Sequence, residues 1–421
     1  MKRLWLFYFP LLFLPSLGFS RQTPFGIIEI SDFLIVPFII LLVITPSARY
    51  EQKLSQLNRL LLVFLLWACL TTLSIPFRYD YLSVVPILVG CFLKLAKLSL
   101  YVTAGVFISK KLSDSTTRAQ WLWSLIAALV MLSVGLVLST NDPGMQSSTD
   151  ALQGYKSYNA IIVSMAIMCT YVAGLWIDDI GSRKWRLGAA IALGAALCSI
   201  VASASLSNHG RGGWLGLIVG CGYFLWKRTA TFKATSIALV LILTALIGYT
   251  AVPDFRSLVD STISAEPAGG EYSVSGVNDG GRISTWSHEA PKWMNAPLLG
   301  TGFYHRGGES GLWDTGSHNF YIQIFLETGV IGGVLMILIF AQMWRQTGSS
   351  LALQQRIRTP TRAALIAAMM AGMSGEYFYG SAAVLVLFSG FAFTGSLPTF
   401  SLVHPRNYKS SAKQFSRFAA S

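Results

Sequence analysis

Charge is scarce in this chain, and acid is scarcer still. Only 12% of the 421 residues are charged, with 19 acids against 32 lysines and arginines. Soluble domains carry about a quarter charged residues, so this composition excludes an ordinary water-soluble fold. Cysteine is rare too. Cys69, Cys91, Cys169, Cys198 and Cys221 all fall inside apolar runs. None has metal-ligand spacing and no loop pair is available for a disulfide, so they read as small packing residues. The chain also lacks a phosphate-cradling glycine loop, a dinucleotide fingerprint and an aspartate-rich motif of the kind that holds magnesium on a diphosphate. Paired halves of the sort found in many transporters are not visible in it.

What the chain has is long apolar sequence. After Lys2-Arg3 an apolar run reaches about Phe19, read as an uncleaved first span rather than a signal peptide. Further runs cover about 27–45, 60–76, 82–108, 119–139, 158–177, 187–205, 213–226, 234–251, 319–344, 362–379 and 382–400. A bilayer crossing needs about 20 apolar residues. The expectation is an all-α polytopic integral membrane protein with about 12 transmembrane helices.

The net charge of +13 suggests a nucleic-acid partner until its distribution is read. The basic residues concentrate in alternate short loops, as in Lys2-Arg3, Lys110-Lys111, Arg183-Lys184 and Lys227-Arg228. That is the positive-inside pattern. It argues against nucleic acid and places both termini in the cytoplasm. The chain then divides into helices one to nine over 1–251, a large, partly helical outer loop over 252–317, and helices ten to twelve with a tail over 318–421.

Three polar residues fall on the outer side by this count: Arg211 in HGRGGWLG, Arg282 in DGGRISTW and His318 in GSHNFY. Glycines around Arg211 allow close backbone approach to a ligand, and arginine binds phosphate bidentately. Arg282 precedes Ile283, Trp286, Ala290 and Trp293, which share a helical face suited to the membrane interface. Either arginine could instead meet lipid headgroups. His318 stands where loop becomes helix. Histidine is the usual general base near neutral pH, and it also serves as a helix cap. Lys94 and Lys97 lie three apart within one apolar run. Charges at that depth usually face a cavity or a partner. They either line a route for an anionic headgroup or pair with an acid such as Glu29, Asp32 or Glu376. Arg306 is a candidate contact for sugar or lipid.

His318-Asn319, nine residues, then Gly329-Val330-Ile331-Gly332 resembles the signature of the bacterial O-antigen ligase family. Arg211 with Leu215 resembles that family's second signature. Arg282 ahead of a tryptophan-bearing segment and PLLGTG (297–302) resembles the broader ligase/polymerase superfamily. The resemblance implies a glycosyltransferase at the periplasmic face of the bacterial inner membrane. Its donor is a glycan on undecaprenyl diphosphate, its acceptor is lipid A–core, and it needs no metal or other cofactor. Within that reading Arg211 and Arg282 bind the diphosphate and His318 is the base. Asn319, Tyr321 and Trp313 are candidate sugar contacts, with interfacial anchoring as the alternative. A repeat-unit polymerase is the second possibility, and a lipid-linked oligosaccharide transporter the third.

Overall fold

The computed structural model describes residues 4–13, 20–23, 26–45, 56–78, 84–112, 115–140, 158–178, 180–204, 211–228, 291, 293–303, 319–347 and 352–373. These form ten helices: α1 (Leu4–Leu11), α2 (Ile30–Ile44), α3 (Gln56–Leu73), α4 (Val84–Lys111), α5 (Ser115–Thr140), α6 (Tyr158–Ile177), α7 (Arg183–Ala204), α8 (Arg211–Arg228), α9 (Phe320–Gln346) and α10 (Ala352–Gly372). A 3₁₀ turn, Ile75–Phe77, extends α3. Five of the helices are long and apolar enough to cross a membrane: Gln56–Phe77, Ile87–Gly105, Thr117–Leu138, Arg183–Val201 and Phe320–Gln346. The expected runs at 234–251 and 382–400 lie outside the described residues.

The expected all-helical architecture holds, with one short addition. Between α1 and α2 lies an antiparallel hairpin, β1 (Ser20–Thr23) with β2 (Gly26–Glu29), in register from Ser20 opposite Glu29 to Thr23 opposite Gly26. Of the first expected run, residues 14–19 lie outside the described residues. At about 1.5 Å per residue, the eight residues of α1 rise about 12 Å and cannot cross a bilayer alone. Hydropathy alone does not reveal this, because an apolar stretch suits a short buried helix as well as a span. An aromatic cluster holds α1 in place. Trp5 and Phe9 stack with Trp121 of α5 at 6.2 and 4.3 Å and with Phe38 of α2 at 6.3 and 6.4 Å.

The centre of the fold is α6. Every residue from Ile161 to Val172 is buried, as expected of a helix that is apolar all round. Around it pack α5, α7, α8 and α10. Small residues make the closest of these approaches. A Cβ on Gly213 would stand 2.0 Å from Ile162 Cγ2, and one on Gly216 would stand 2.6 Å from the Ala367 carbonyl oxygen. With no hydrophobic drive between helices in lipid, such close backbone packing supplies much of the association. Gly216→Val is therefore expected to lower stability in detergent by about 1–3 kcal/mol through overpacking. Gly222→Ala is the control: nothing lies within 4 Å of its Cβ position. A melting curve of each variant checks the pair.

Helix directions follow from the same contacts. Gly213 meets Ile162 and Gly220 meets Thr170, so α8 runs parallel to α6. Gly216 meets Ala371 and Gly220 meets Ala363, so α10 runs antiparallel to α8. These are the alternations that the basic loops predict. The outward faces of α3 and α9 are apolar, with Leu62, Leu66, Leu70, Ile331, Val334 and Ile337 exposed. On a soluble protein such bands would drive association; in a bilayer they face lipid.

Candidate active site

A dense set of backbone hydrogen bonds lies where α9 breaks. Gly329 has φ 66° and ψ −172°, a non-helical conformation inside an otherwise continuous helix. That combination is open essentially to glycine alone. The break frees three consecutive carbonyls, and each finds an outside donor. Leu326 O accepts from Thr301 N at 2.8 Å, Glu327 O from Gly302 N at 2.9 Å, and Thr328 O from Trp67 Nε1 at 2.8 Å. Val330 N donates to Pro297 O at 2.8 Å. The Thr301 hydroxyl adds a bond to Leu326 O at 3.3 Å. Backbone polar groups at membrane depth must be paired within the protein, and this break meets that demand.

The strap that supplies these donors is residues 297–303, PLLGTGF. Gly300 and Gly302 have φ of 67° and 116°, which turns the chain so that successive amides point at α9. The Arg78 guanidinium, just past α3, donates to Gly300 O. Thr301, Gly302 and Phe303 are buried. Two segments that the sequence presents as separate signatures, PLLGTG and the Gly329 turn, are thus one hydrogen-bonded unit.

At the start of α9, Asn319 is an N-cap. Its side-chain oxygen accepts from Tyr321 N at 2.9 Å and Ile322 N at 3.2 Å, satisfying amides that the helix leaves open. The Tyr321 hydroxyl donates to Met369 O at 2.8 Å. Phe320 lies against Gly372. The first turns of α8 pack on the same part of α10, through Gly216 against Ala367 and Ala371. The last turns of α10 therefore gather the start of α9, with Asn319 and Tyr321, and the start of α8, with Arg211 as its opening residue.

The other candidates divide. Lys97 pairs with Asp32 of α2 at 2.7 Å, one of the acids that the sequence offers as a partner. Lys94, half-buried, sits one turn earlier on α4. Arg282, Arg306, Trp313 and His318 lie outside the described residues.

Four contributors escape the sequence reading. Trp67 and Arg78 tie α3 to the break and the strap. Gln323 and Glu327, four apart on α9, are fully buried, and Gln323 Nε2 donates to Glu327 Oε1. Signals for them exist. By the count of basic loops Arg78 falls on the side expected to be poor in basic residues, and Glu327 is an acid inside an apolar run, which by default marks function.

Residues 196–337 match the family model Wzy_C, described as O-Antigen ligase. Over that third of the chain the sequence is similar to the O-antigen ligase family. The match takes in Arg211, Arg282, His318, Asn319, the strap and the α9 break, and leaves out α3 and α4. The resemblance drawn from the motifs is thereby borne out. No curated protein matches the chain. The match supports the O-antigen ligase/polymerase superfamily, and with the apolar helices it suggests a multi-pass membrane protein acting on a lipid-linked substrate.

Proposed function

We propose that the chain is an O-antigen ligase of the bacterial inner membrane. It takes a glycan from undecaprenyl diphosphate and joins it to a sugar hydroxyl of lipid A–core at the periplasmic face. The observation that carries this reading is the family match across 196–337, inside which the strap and the α9 break form one unit.

The chemistry assigns the roles. As the anomeric C–O bond breaks, the diphosphate leaving group gains negative charge. Fixed cations in a site shielded from water stabilise that charge best, and Arg211 and Arg282 are assigned to it. The acceptor hydroxyl attacks the anomeric carbon from the opposite face and gives its proton to His318. One displacement inverts the anomeric configuration. No divalent metal takes part, as the resemblance implies. Asn319 caps α9 directly after His318 in sequence, so the cap that orders this helix start also supports the base. Tyr321, Trp313 and Arg306 are assigned to the sugars. Lys94 is assigned to the headgroup route.

Purified full-length chain in liposomes, given a glycan-linked undecaprenyl diphosphate and lipid A–core, tests the reading on a gel. Glycan on lipid A–core is the expected product. Lengthening of the lipid-linked glycan without transfer to lipid A–core would replace the ligase with a polymerase. If neither forms from a competent donor, glycosyl transfer is the wrong reaction and transport of the donor becomes the reading to test.

A further inference from the structure

The strap lies deeper than a surface loop should. Two helices measure its level independently. On α9, Arg345 is exposed near the last turn and marks the basic end. Gly329 stands 16 residues before it, about 24 Å away along the axis at 1.5 Å per residue. On α3, Arg59 is the exposed basic residue near the first turn. Gly302 lies against Ile75 and the Thr71 carbonyl, about 18–24 Å further along. The hydrocarbon core is about 30 Å thick, and tilt only reduces these heights. Both rulers put the strap several ångströms inside the core, below the end of the bilayer at which α9 begins.

Its bonding and its surface fit that level. The Gly300, Thr301 and Gly302 amides all donate within the protein, and the Pro297 and Gly300 carbonyls both accept. Irregular backbone survives at membrane depth only when satisfied in this way. The side chains on its outer surface are apolar, with Met294 65% and Leu298 62% exposed and Leu299 partly so. They share this apolar character with the exposed faces of α3 (Leu70, Leu73) and α9 (Ile331, Val334), and the strap is hydrogen-bonded to α9 and to Arg78 just past α3.

We propose that residues 294–299 re-enter the bilayer, and that Met294, Leu298 and Leu299 contact phospholipid acyl chains in the leaflet where α9 begins. The loop at 252–317, expected in water, then dips into the membrane at 294–299. Arg78, about 28 Å above Arg59, reaches down from the interface to Gly300 O. The inference rests on the membrane reading of the chain and is independent of which glycosyl reaction it performs.

Two measurements on the full-length chain test it. Leu298→Cys and Leu299→Cys, each in otherwise native protein, are treated with a charged maleimide in vesicles frozen and thawed so that reagent reaches both faces. Ser310→Cys is the aqueous reference. A thiol in hydrocarbon stays protonated, so labelling at 298 and 299 is expected to be at least about tenfold slower than at 310. A benzophenone amino acid at position 298 is expected to yield, on irradiation, a phospholipid adduct by mass spectrometry. Labelling at 298 and 299 as fast as at 310 would put the strap in water and overturn the proposal. Protection with cross-links to protein alone would overturn it too, since protein rather than lipid would then cover the strap.

Discussion

Gly329→Val is expected to cost at least about 3 kcal/mol and to release the strap from α9. Two effects add. A non-glycine residue at this φ and ψ carries about 1–3 kcal/mol of backbone strain. A Cβ here would also stand 2.1 Å from Leu298 O, 2.3 Å from its carbonyl carbon and 2.7 Å from Gly300 N. All three are backbone atoms, so no side chain can swing aside. Relief requires α9 to straighten or the strap to withdraw. Either breaks the bonds from Thr301 N, Gly302 N and Val330 N and leaves polar groups unpaired at membrane depth, each costly. A lowered melting temperature with new proteolysis between 297 and 303 is the expected readout. Melting like the native chain would show that the strap does not depend on the break.

The second large effect concerns the arginines. Arg211→Ala and Arg282→Ala are each expected to cut transfer by about 100-fold or more, the scale of losing one preorganised donor on developing charge, with the protein still in the membrane. For Arg211 the fold sharpens the test. Arg211 opens α8, and a cation at a helix start opposes the macrodipole by about 0.3–1 kcal/mol. Removing it leaves stability unchanged or slightly raised, so a loss of activity is not a loss of fold. Arg211→Lys keeps the charge without the bidentate fork and is expected to recover little. If the arginines merely hold lipid headgroups, the alanine variants transfer normally and differ in insertion.

Much of the helical framework was legible because hydropathy and alternating basic loops need no tertiary knowledge. The run predicted at 158–177 is α6 residue for residue, and those at 119–139 and 213–226 fall within α5 and α8. The hairpin at 20–29 was not legible, since Ser20–Thr23 and Gly26–Glu29 lack the alternation that marks a strand. The family motifs pointed to PLLGTG and to Gly329, but only tertiary structure shows that one satisfies the carbonyls the other frees. Trp67 sits in an aliphatic run where an indole reads as one more apolar residue. Its bond to Thr328 O spans more than 250 positions, and no local pattern encodes that. The Lys97–Asp32 pair was legible only as one of two possibilities, because charge in an apolar run demands a partner without naming it.

The most direct test of the account compares native chain with His318→Ala in the reconstituted transfer assay, at saturating lipid-linked donor and lipid A–core. A general base contributes about 10²–10⁴-fold to rate, so transfer is expected to fall by that factor while donor binding and melting temperature hold. Transfer at the native rate would take His318 out of the chemistry and contradict the mechanism.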